Sequence, residues 1–280
     1  MLQTVRVQTR ALVQAADLLA ETTADASLLI VDVRWSLAGA DRAGYAAGHL
    51  PGAVFCDLDT ELAGPPGVGG RHPLPSPEQM AALMRRLGIS AARRVVVLDG
   101  GAGAAAARAW WCLRWAGHED VRVLDGGLPA WAAAGGQVEA GDVEPVPTDD
   151  VVVHQGSMPT ATADEVQHRT VGRLLDARAP ERFRGETEPV DPVAGHIPGA
   201  VSCWTGSLQG SDGRYLAGEQ VRDLLLGADE VVDLTAYCGS GVTASQLVLL
   251  GHEVGLEIAL YPGSWSHWVR DESRPVATGV

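Results

Sequence analysis

Short runs of apolar and β-branched residues recur along the chain, and several are followed by a glycine-rich turn and a longer apolar stretch. Runs of this length and composition predict buried strands. The predicted strands are Leu28–Val33, Val95–Asp99, Val121–Leu124, Arg173–Ala177, Leu234–Cys238 and Ile258–Tyr261. Helices are predicted over Ala104–Ala116 and from about Val242 to Gly251. This alternation of strands and helices predicts an α/β fold whose parallel sheets are covered on both faces.

One short segment occurs twice in the chain. The sequence HLPGAV spans His49–Val54 and HIPGAV spans His196–Val201, so the two copies agree at five of six positions. This duplication predicts two tandem α/β domains, residues 1–143 and 158–280. The linker is predicted at 144–157, near a cluster of acidic residues, proline and glycine. Because the histidine recurs in both halves, the pattern favours a structural role in the turn over catalysis.

Composition narrows the classes of partner. The 280 residues contain 21 Lys and Arg against 35 Asp and Glu, a formal net charge of −14. So negative a chain is not expected to bind nucleic acid or anionic lipid, and an anionic substrate needs a local positive site. No apolar run reaches the roughly 18 residues of a membrane span. Neither membrane nor nucleic acid is therefore an expected partner.

The four cysteines are scattered and form no CxxC pair, no zinc-type spacing and no disulfide framework. We therefore expect no metal and a reducing, cytoplasmic location. Three of them, Cys56, Cys112 and Cys203, are interpreted as small buried apolar residues. The fourth, Cys238, has a different sequence context.

Cys238 ends a predicted strand and is followed by a glycine-containing turn into a helix. Ligands of open parallel sheets bind at such strand ends. Backbone N–H groups of such a turn, with the positive end of the helix dipole, stabilise an anion, here the Cys238 thiolate. The predicted cradle consists of Gly239, Ser240, Gly241, Val242 and Thr243. The matching position in the first half is Asp99, so only the second half is expected to be catalytic.

Other cysteine-based or cofactor-based sites fit this loop less well. A cysteine phosphatase needs C-x5-R, and the residue six after Cys238 is Ala244, which also disfavours arsenate reductase. A thioredoxin-type pair would need a cysteine where Gly241 stands. The Gly101–Gly103 segment lacks the third glycine of a dinucleotide-binding turn. Two alternatives remain. One is a nucleophilic enzyme, and the other is a non-catalytic persulfide- or anion-binding module with a regulatory or sulfur-carrier role.

The chain resembles the family of rhodanese and mercaptopyruvate sulfurtransferase. The resemblance is carried by both HxPGA segments, by Cys238–Ala244 and by Tyr261–Trp268. It implies two tandem rhodanese-like domains, the first inactive, and no cofactor. The implied reaction moves sulfur from a small anionic donor, mercaptopyruvate or thiosulfate, through a Cys238 persulfide to cyanide or to a thiol acceptor such as thioredoxin. The CGSGVT loop is similar to the mercaptopyruvate type.

Further site residues follow from the same resemblance. It implies a proton-relay triad of Ser240, His72 and Asp59, although the insert at Gly64–Gly70 alters the spacing between the last two.

Donor binding is the second role that the resemblance implies. Arg182 matches the arginine that binds the donor's carboxylate or sulfonate. A second arginine is expected nine residues later, where this chain has Asp191. Arg184 either compensates or is a surface charge. Trp204, just after the HIPGAV segment, is a candidate to line the pocket. The choice of donor is left open.

Overall fold

Two parallel β-sheets form the centres of two domains in this computed structural model, which describes residues 10–170, 172–227 and 233–280. The first sheet has the strand order β1-β7-β6-β2-β5, and every pairing is parallel. Its strands are β1 Leu12–Val13, β2 Leu29–Asp32, β5 Val54–Phe55, β6 Val95–Leu98 and β7 Val121–Leu124. A separate antiparallel hairpin is formed by β3 Trp35–Ser36 and β4 Gly39–Ala40. Because β2 and β6 are buried along their whole length, they are continuous apolar runs except for Asp32.

Helices cover both faces of the first sheet. They are α1 Ala15–Ala24, α2 Arg42–Ala47, α3 Leu58–Glu61, α4 Pro77–Leu87, α5 Ala104–Trp115 and α6 Gly127–Ala133. Helix α4 begins at a capping box in which Ser76 and Gln79 each bond to the other's main-chain N–H. It ends at Gly88, whose positive φ of 72° closes the last turn.

The second sheet repeats this arrangement with four parallel strands in the order β11-β10-β8-β9. Its strands are β8 Arg173–Asp176, β9 Ala200–Ser202, β10 Leu234–Tyr237 and β11 Ile258–Leu260. Its helices are α7 Ala163–His168, α8 Pro180–Phe183, α9 Gly218–Leu226, α10 Ala244–Glu253 and α11 Ser264–Trp268, with a 3₁₀ turn at Thr205–Leu208. Residues 144–157, between the two domains, form neither a helix nor a strand.

Helices α5 and α10 pack against each other where the domains meet. Both are buried on every face: α5 from Ala105 to Leu113 and α10 from Ala244 to Gly251. A helix buried all round carries no polar stripe, which explains the apolar stretches that follow the two glycine turns in the sequence. One hydrophobic cluster therefore continues from one domain into the other.

The two copies of the HxPGAV segment are held by equivalent ion pairs. In the first domain Arg34 Nη2 bonds to buried Asp32 at 3.0 Å and to the Gly48 carbonyl at 2.7 Å. In the second, Arg178 Nη2 bonds to buried Asp176 at 2.6 Å and to the Gly195 carbonyl at 2.7 Å. These contacts fix the chain just before each histidine.

The predicted parallel α/β architecture with two domains is confirmed. Strands and helices lie within a few residues of their predicted bounds, but α10 begins at Ala244 rather than near Val242. The difference arises because Gly241–Thr243 still belong to the turn, where Gly241 adopts a positive φ of 80°. Among the described residues, no helix combines the length and apolar character needed to cross a bilayer.

Candidate active site

Cys238 lies directly after β10, at the carboxyl end of the second sheet, and is only 2% exposed. The main-chain N–H of Gly241 donates to its Sγ over 3.2 Å. The turn depends on glycine at 241, because φ is 80° and a Cβ there would collide with the Pro262 carbonyl oxygen. The local sequence therefore folds the chain back so that a backbone donor contacts the sulfur.

Other amides of this turn are unpaired. Within the described residues, the main-chain N–H groups of Gly239, Ser240 and Val242 have no protein acceptor. The turn leads into the first residue of α10, Ala244, so the positive end of the helix dipole faces the same region. Free N–H groups beside a helix N-terminus form a site that stabilises an anion.

The equivalent turn of the first domain already contains an anion. The buried carboxylate of Asp99 accepts hydrogen bonds from the main-chain N–H groups of Gly101, Gly103 and Ala106 at 2.8, 3.0 and 3.2 Å. The side chain thus fills the space that the turn offers to a negative charge. This filled copy illustrates which kind of ligand the turn binds.

Helix α11 fixes the Cys238 turn from the other side. The Ser264 hydroxyl accepts from the Cys238 main-chain N–H at 3.1 Å, and Trp265 N donates to the Cys238 carbonyl at 3.0 Å. Ser266 N donates to the carbonyl of Gly239 at 2.8 Å. Ser264 itself has a positive φ of 53°, unusual for a residue with a side chain. The C-terminal segment thus supports the turn through the Ser264 hydroxyl and two main-chain N–H groups.

Ser240, His72 and Asp59 form one hydrogen-bonded chain across the domain boundary. Ser240 Oγ lies 2.7 Å from His72 Nδ1, and His72 Nε2 lies 3.0 Å from Asp59 Oδ1. Since the aspartate accepts from Nε2–H, Nδ1 is left to accept from the serine hydroxyl. The structure brings together all three predicted members despite the altered spacing between Asp59 and His72.

Trp35 completes this chain at its outer end. Its indole N–H donates to Asp59 Oδ1 at 2.8 Å, and its ring contacts His72 edge-on at 5.6 Å between centroids. Burial lowers the pKa of His72 below its ordinary value of 6.5, while the hydrogen bond that His72 donates to Asp59 acts in the opposite direction. The imidazole is therefore neutral at pH 7 and can accept a proton.

Arg108, on α5, holds the segment that carries His72. Its fully buried guanidinium donates to the carbonyls of Leu62, His72 and Pro73 at 3.1, 3.2 and 3.4 Å. The same group reaches the Gly241 carbonyl of the catalytic turn at 3.4 Å. One side chain thus ties the first-domain segment to the turn of the second domain.

A pocket of about 220 Å³ opens onto Cys238. It is lined by residues of both domains, including four of the five predicted cradle residues, Gly239, Ser240, Val242 and Thr243. Arg182 lies in its wall and binds Glu188 through Nη2 and Nε at 2.6 and 3.2 Å. Although burial alone would raise it, the Arg182 hydrogen bonds hold the pKa of Glu188 below its ordinary value, so the pair is charged.

Arg184 does not reach this pocket. Its guanidinium pairs with exposed Glu186 at 2.7 Å. Asp191 instead forms an ion pair with Arg71 of the first domain, and Arg71 lines the pocket. Among the described residues, no group of three or more His, Cys, Asp and Glu side chains is arranged to bind a metal ion.

Comparison with known proteins follows the same division of the chain. Residues 14–134 and 158–271 each match the model of the rhodanese-like domain. The chain belongs to the rhodanese family. SseB of Mycobacterium tuberculosis, provisionally named a thiosulfate sulfurtransferase, is 46% identical over 277 residues, which cover 96% of this chain and 97% of that protein.

Two further relatives in the rhodanese family are named for a different donor, 3-mercaptopyruvate. A Pseudomonas aeruginosa protein, provisionally named a 3-mercaptopyruvate sulfurtransferase, is 44% identical over 282 residues, covering 94% of this chain and 97% of the relative. The solved 3-mercaptopyruvate sulfurtransferase of Leishmania major aligns with a TM-score of 0.78 and 30% identity, over 92% of this chain and 73% of that chain. This member of the rhodanese family is accordingly a sulfurtransferase, and sulfur-transfer catalysis replaces the non-catalytic module as its function.

Three further predictions concern the roles of His49, His196 and Trp204 in this rhodanese fold. His49 Nδ1 bonds to the Leu50 carbonyl at 2.8 Å, and His196 Nδ1 bonds to the Phe183 carbonyl at 2.7 Å. Neither lines the Cys238 pocket, so the structural interpretation of this pair is confirmed. Trp204 does line the pocket, at its mouth, where it is 43% exposed.

Three residues that build this rhodanese site were not predicted from the sequence. Arg71 directly precedes His72, and that adjacency was the only local signal of its place. Arg108 is a single arginine inside an Ala- and Trp-rich helix, a pattern that indicates a buried charge with a specific task. Trp35 gave no signal, because its bond to Asp59 depends on the β3–β4 hairpin.

Proposed function

We propose that this protein transfers a sulfane sulfur from a small anionic donor, 3-mercaptopyruvate or thiosulfate, to a thiol or cyanide through a persulfide on Cys238. The observation that carries the proposal is the contact between the Gly241 N–H and Cys238 Sγ beside three unpaired amides. A sulfur held in this way is stabilised as an anion both before and after it accepts the transferred atom.

In the loading step the Cys238 thiolate attacks the outer sulfur of the donor. With thiosulfate the S–S bond breaks, and sulfite leaves with the electron pair. With 3-mercaptopyruvate the C–S bond breaks, and the pair passes to carbon as the enolate of pyruvate, which then takes up a proton. Only the second donor thus requires proton transfer.

The Ser240–His72–Asp59 chain is suited to that proton transfer. Neutral His72 accepts the thiol proton of 3-mercaptopyruvate through Ser240, and Asp59 stabilises the imidazolium that results. The same proton then returns to the methylene carbon of the enolate, which gives pyruvate and leaves the persulfide as an anion. General acid–base assistance of this kind contributes roughly 10²- to 10⁴-fold to a rate. The chain therefore supports 3-mercaptopyruvate as a donor, whereas the anion site alone suffices for thiosulfate.

In the discharge step an acceptor nucleophile attacks the outer sulfur of the persulfide. The S–S bond breaks, and its electron pair returns to Cys238 as a thiolate, which closes the cycle without a cofactor. The pocket of about 220 Å³ is smaller than the roughly 300–1,000 Å³ of most ligand sites, which supports small donors. Thioredoxin is an acceptor that would have to approach at the exposed face of Trp204.

The Asp99 turn of the first domain is proposed to carry no sulfur, so this domain contributes only His72 and Asp59 of the proton relay. It has Asp99 in place of a nucleophilic sulfur, and that carboxylate already occupies the three nearest backbone donors. The domain boundaries at residues 143 and 158 and the cytoplasmic location remain predictions of the sequence.

Intact-protein mass spectrometry tests the proposal. After exposure to either donor the chain should gain the mass of one sulfur at Cys238, and cyanide should remove it. Cys238→Ser should gain no sulfur and lose turnover, because the other three cysteines are buried away from the pocket.

The matched controls are Cys56→Ala, Cys112→Ala and Cys203→Ala, which should load sulfur like the natural protein. Burial raises the pKa of the thiol in each of these three, so none is available as a thiolate at neutral pH. Retention of turnover by Cys238→Ser would refute the mechanism.

A further inference from the structure

Asp191 connects two cationic side chains in the pocket wall. Its side chain is 4% exposed and forms an ion pair with Arg71 of the first domain. Arg182 Nη2, from the second domain, lies 3.4 Å from its other oxygen. One buried carboxylate therefore holds two guanidinium groups beside each other, one from each domain.

Both guanidinium groups lie against the same point of the turn. Arg71 Nη2 lies 2.8 Å, and Arg182 Nη1 and Nη2 each lie 3.6 Å, from the position that a Cβ atom would take on Gly239. Arg71 Nη2 and Arg182 Nη1 have no acceptor among the described residues. Two unpaired, charged donors thus meet over the residue that follows Cys238.

Three of the other guanidinium nitrogens are hydrogen-bonded, which restrains both groups. Arg71 Nη1 bonds to Asp191, while Arg182 bonds to Glu188 through Nε and Nη2. The main-chain N–H of Arg71 also donates to the Ser266 hydroxyl at 3.0 Å, which anchors its backbone to α11. Guanidinium groups restrained in this way are prepared to bind an anion with several oxygens.

We propose that Arg71, positioned by Asp191, is the second anion-binding residue of the donor pocket and acts with Arg182 across the domain boundary. The proposal rests on sulfur transfer through Cys238 and specifies its donor. Both free nitrogens lie next to Gly239, the residue that follows Cys238, so we infer that the donor is a small anion. Its carboxylate or sulfonate oxygens are separated from the transferable sulfur by only a few bonds.

A simpler role for Arg71 is to neutralise Asp191 without touching the donor. The two roles predict different double variants. If Arg71 only balances a buried charge, removing that charge makes Arg71 dispensable. If it binds the donor, its loss weakens donor binding whether or not residue 191 is charged.

The test measures steady-state kcat and KM for 3-mercaptopyruvate and thiosulfate with a neutral thiol acceptor, dithiothreitol. Arg71→Met should raise the donor KM about 10- to 100-fold, as expected for loss of one charge-assisted hydrogen bond. Arg184→Met is the matched control and should keep the natural KM, because that arginine pairs with exposed Glu186.

Asp191→Asn provides the second background. Arg71→Met combined with Asp191→Asn should have a donor KM about 10- to 100-fold above that of Asp191→Asn alone. This double variant contains no unpaired buried carboxylate at residue 191, so it also controls for misfolding. Equal KM values for the two proteins would overturn the proposal.

Single-turnover measurements separate this inference from the function on which it rests. At saturating donor, Arg71→Met should still load one sulfur and pass it to dithiothreitol at the natural rate, because discharge involves no donor anion. Loading by the natural protein together with an unchanged KM in Arg71→Met would refute the role of Arg71 alone. Absence of loading in the natural protein would refute the transfer reaction itself.

Discussion

The side chains that surround Cys238 are each fixed by a specific partner. Asp59 accepts from both Trp35 and His72, so its carboxylate has little freedom to turn away. His72 is restrained at both ring nitrogens, and its neutral form is favoured by burial. At this scale the protonation state of one imidazole decides whether the relay operates.

The pH profile should report this imidazole. For 3-mercaptopyruvate, kcat/KM should decline only below pH 6.5, because burial lowers the pKa of His72 and protonation removes the acceptor for Ser240. Asp59→Asn removes a hydrogen bond that raises this pKa, so the decline should move to still lower pH and the rate should drop about 10²-fold.

Thiosulfate provides the internal control for that measurement. Its loading step moves no proton, so its profile should lack the limb assigned to His72. A limb shared by both donors, or one unmoved by Asp59→Asn, would contradict the relay.

The strand–turn–helix unit is the element that the two domains share. In the second domain it presents free amides to a sulfur, and in the first domain the corresponding turn donates three main-chain N–H groups to Asp99. The two turns differ in the residue at the strand end and in where their glycines lie. These glycines are Gly239 and Gly241 in the second domain and Gly100, Gly101 and Gly103 in the first.

Removal of the Asp99 carboxylate should weaken the first domain. Asp99→Ala leaves one buried and two part-buried N–H groups without an acceptor, so the free energy of unfolding should fall by about 2–4 kcal/mol. Asp99→Asn, which keeps one acceptor oxygen, should lose less. Urea unfolding measures both values, and kcat of the folded variants should be unchanged. Equal stability of Asp99→Ala and the natural protein would contradict the account of the filled turn.

The sequence was most informative about the secondary-structure elements. The β-strands of both sheet centres were predictable because buried parallel strands are unbroken runs such as VVVL at 95–98. The relay residues were predictable only through family motifs, since Asp59 and Ser240 are 181 positions apart and meet by domain packing. Arg71 escaped prediction for the same reason: its partner, Asp191, lies in the other domain.

Across the whole molecule, each domain completes the turn of the other. Arg108 of the first domain reaches Gly241 in the catalytic turn at 3.4 Å. Gln246 of the second domain donates to the Ala102 carbonyl of the filled turn at 2.9 Å. The active site therefore exists only where the α5–α10 interface is formed.

Arg108→Leu tests this dependence. Four backbone carbonyls lose a buried donor, so the free energy of unfolding should fall by about 3–5 kcal/mol. Turnover of 3-mercaptopyruvate should fall as well, because the His72 segment loses its support. Arg114→Leu, on the same helix but bonded only to the Glu119 carbonyl among these groups, is the comparison and should cost less. Equal effects of the two substitutions would argue against a special role for Arg108.

Asp99, which fills the turn of the first domain, also limits how many sulfur atoms one chain can carry in the proposed reaction. The fold contains two copies of the anion-binding turn, but the first copy is filled by the carboxylate of Asp99. On the proposed mechanism, one chain therefore holds at most one transferable sulfur at a time. Any pool of activated sulfur held by this protein in a cell can be no larger than the number of its molecules.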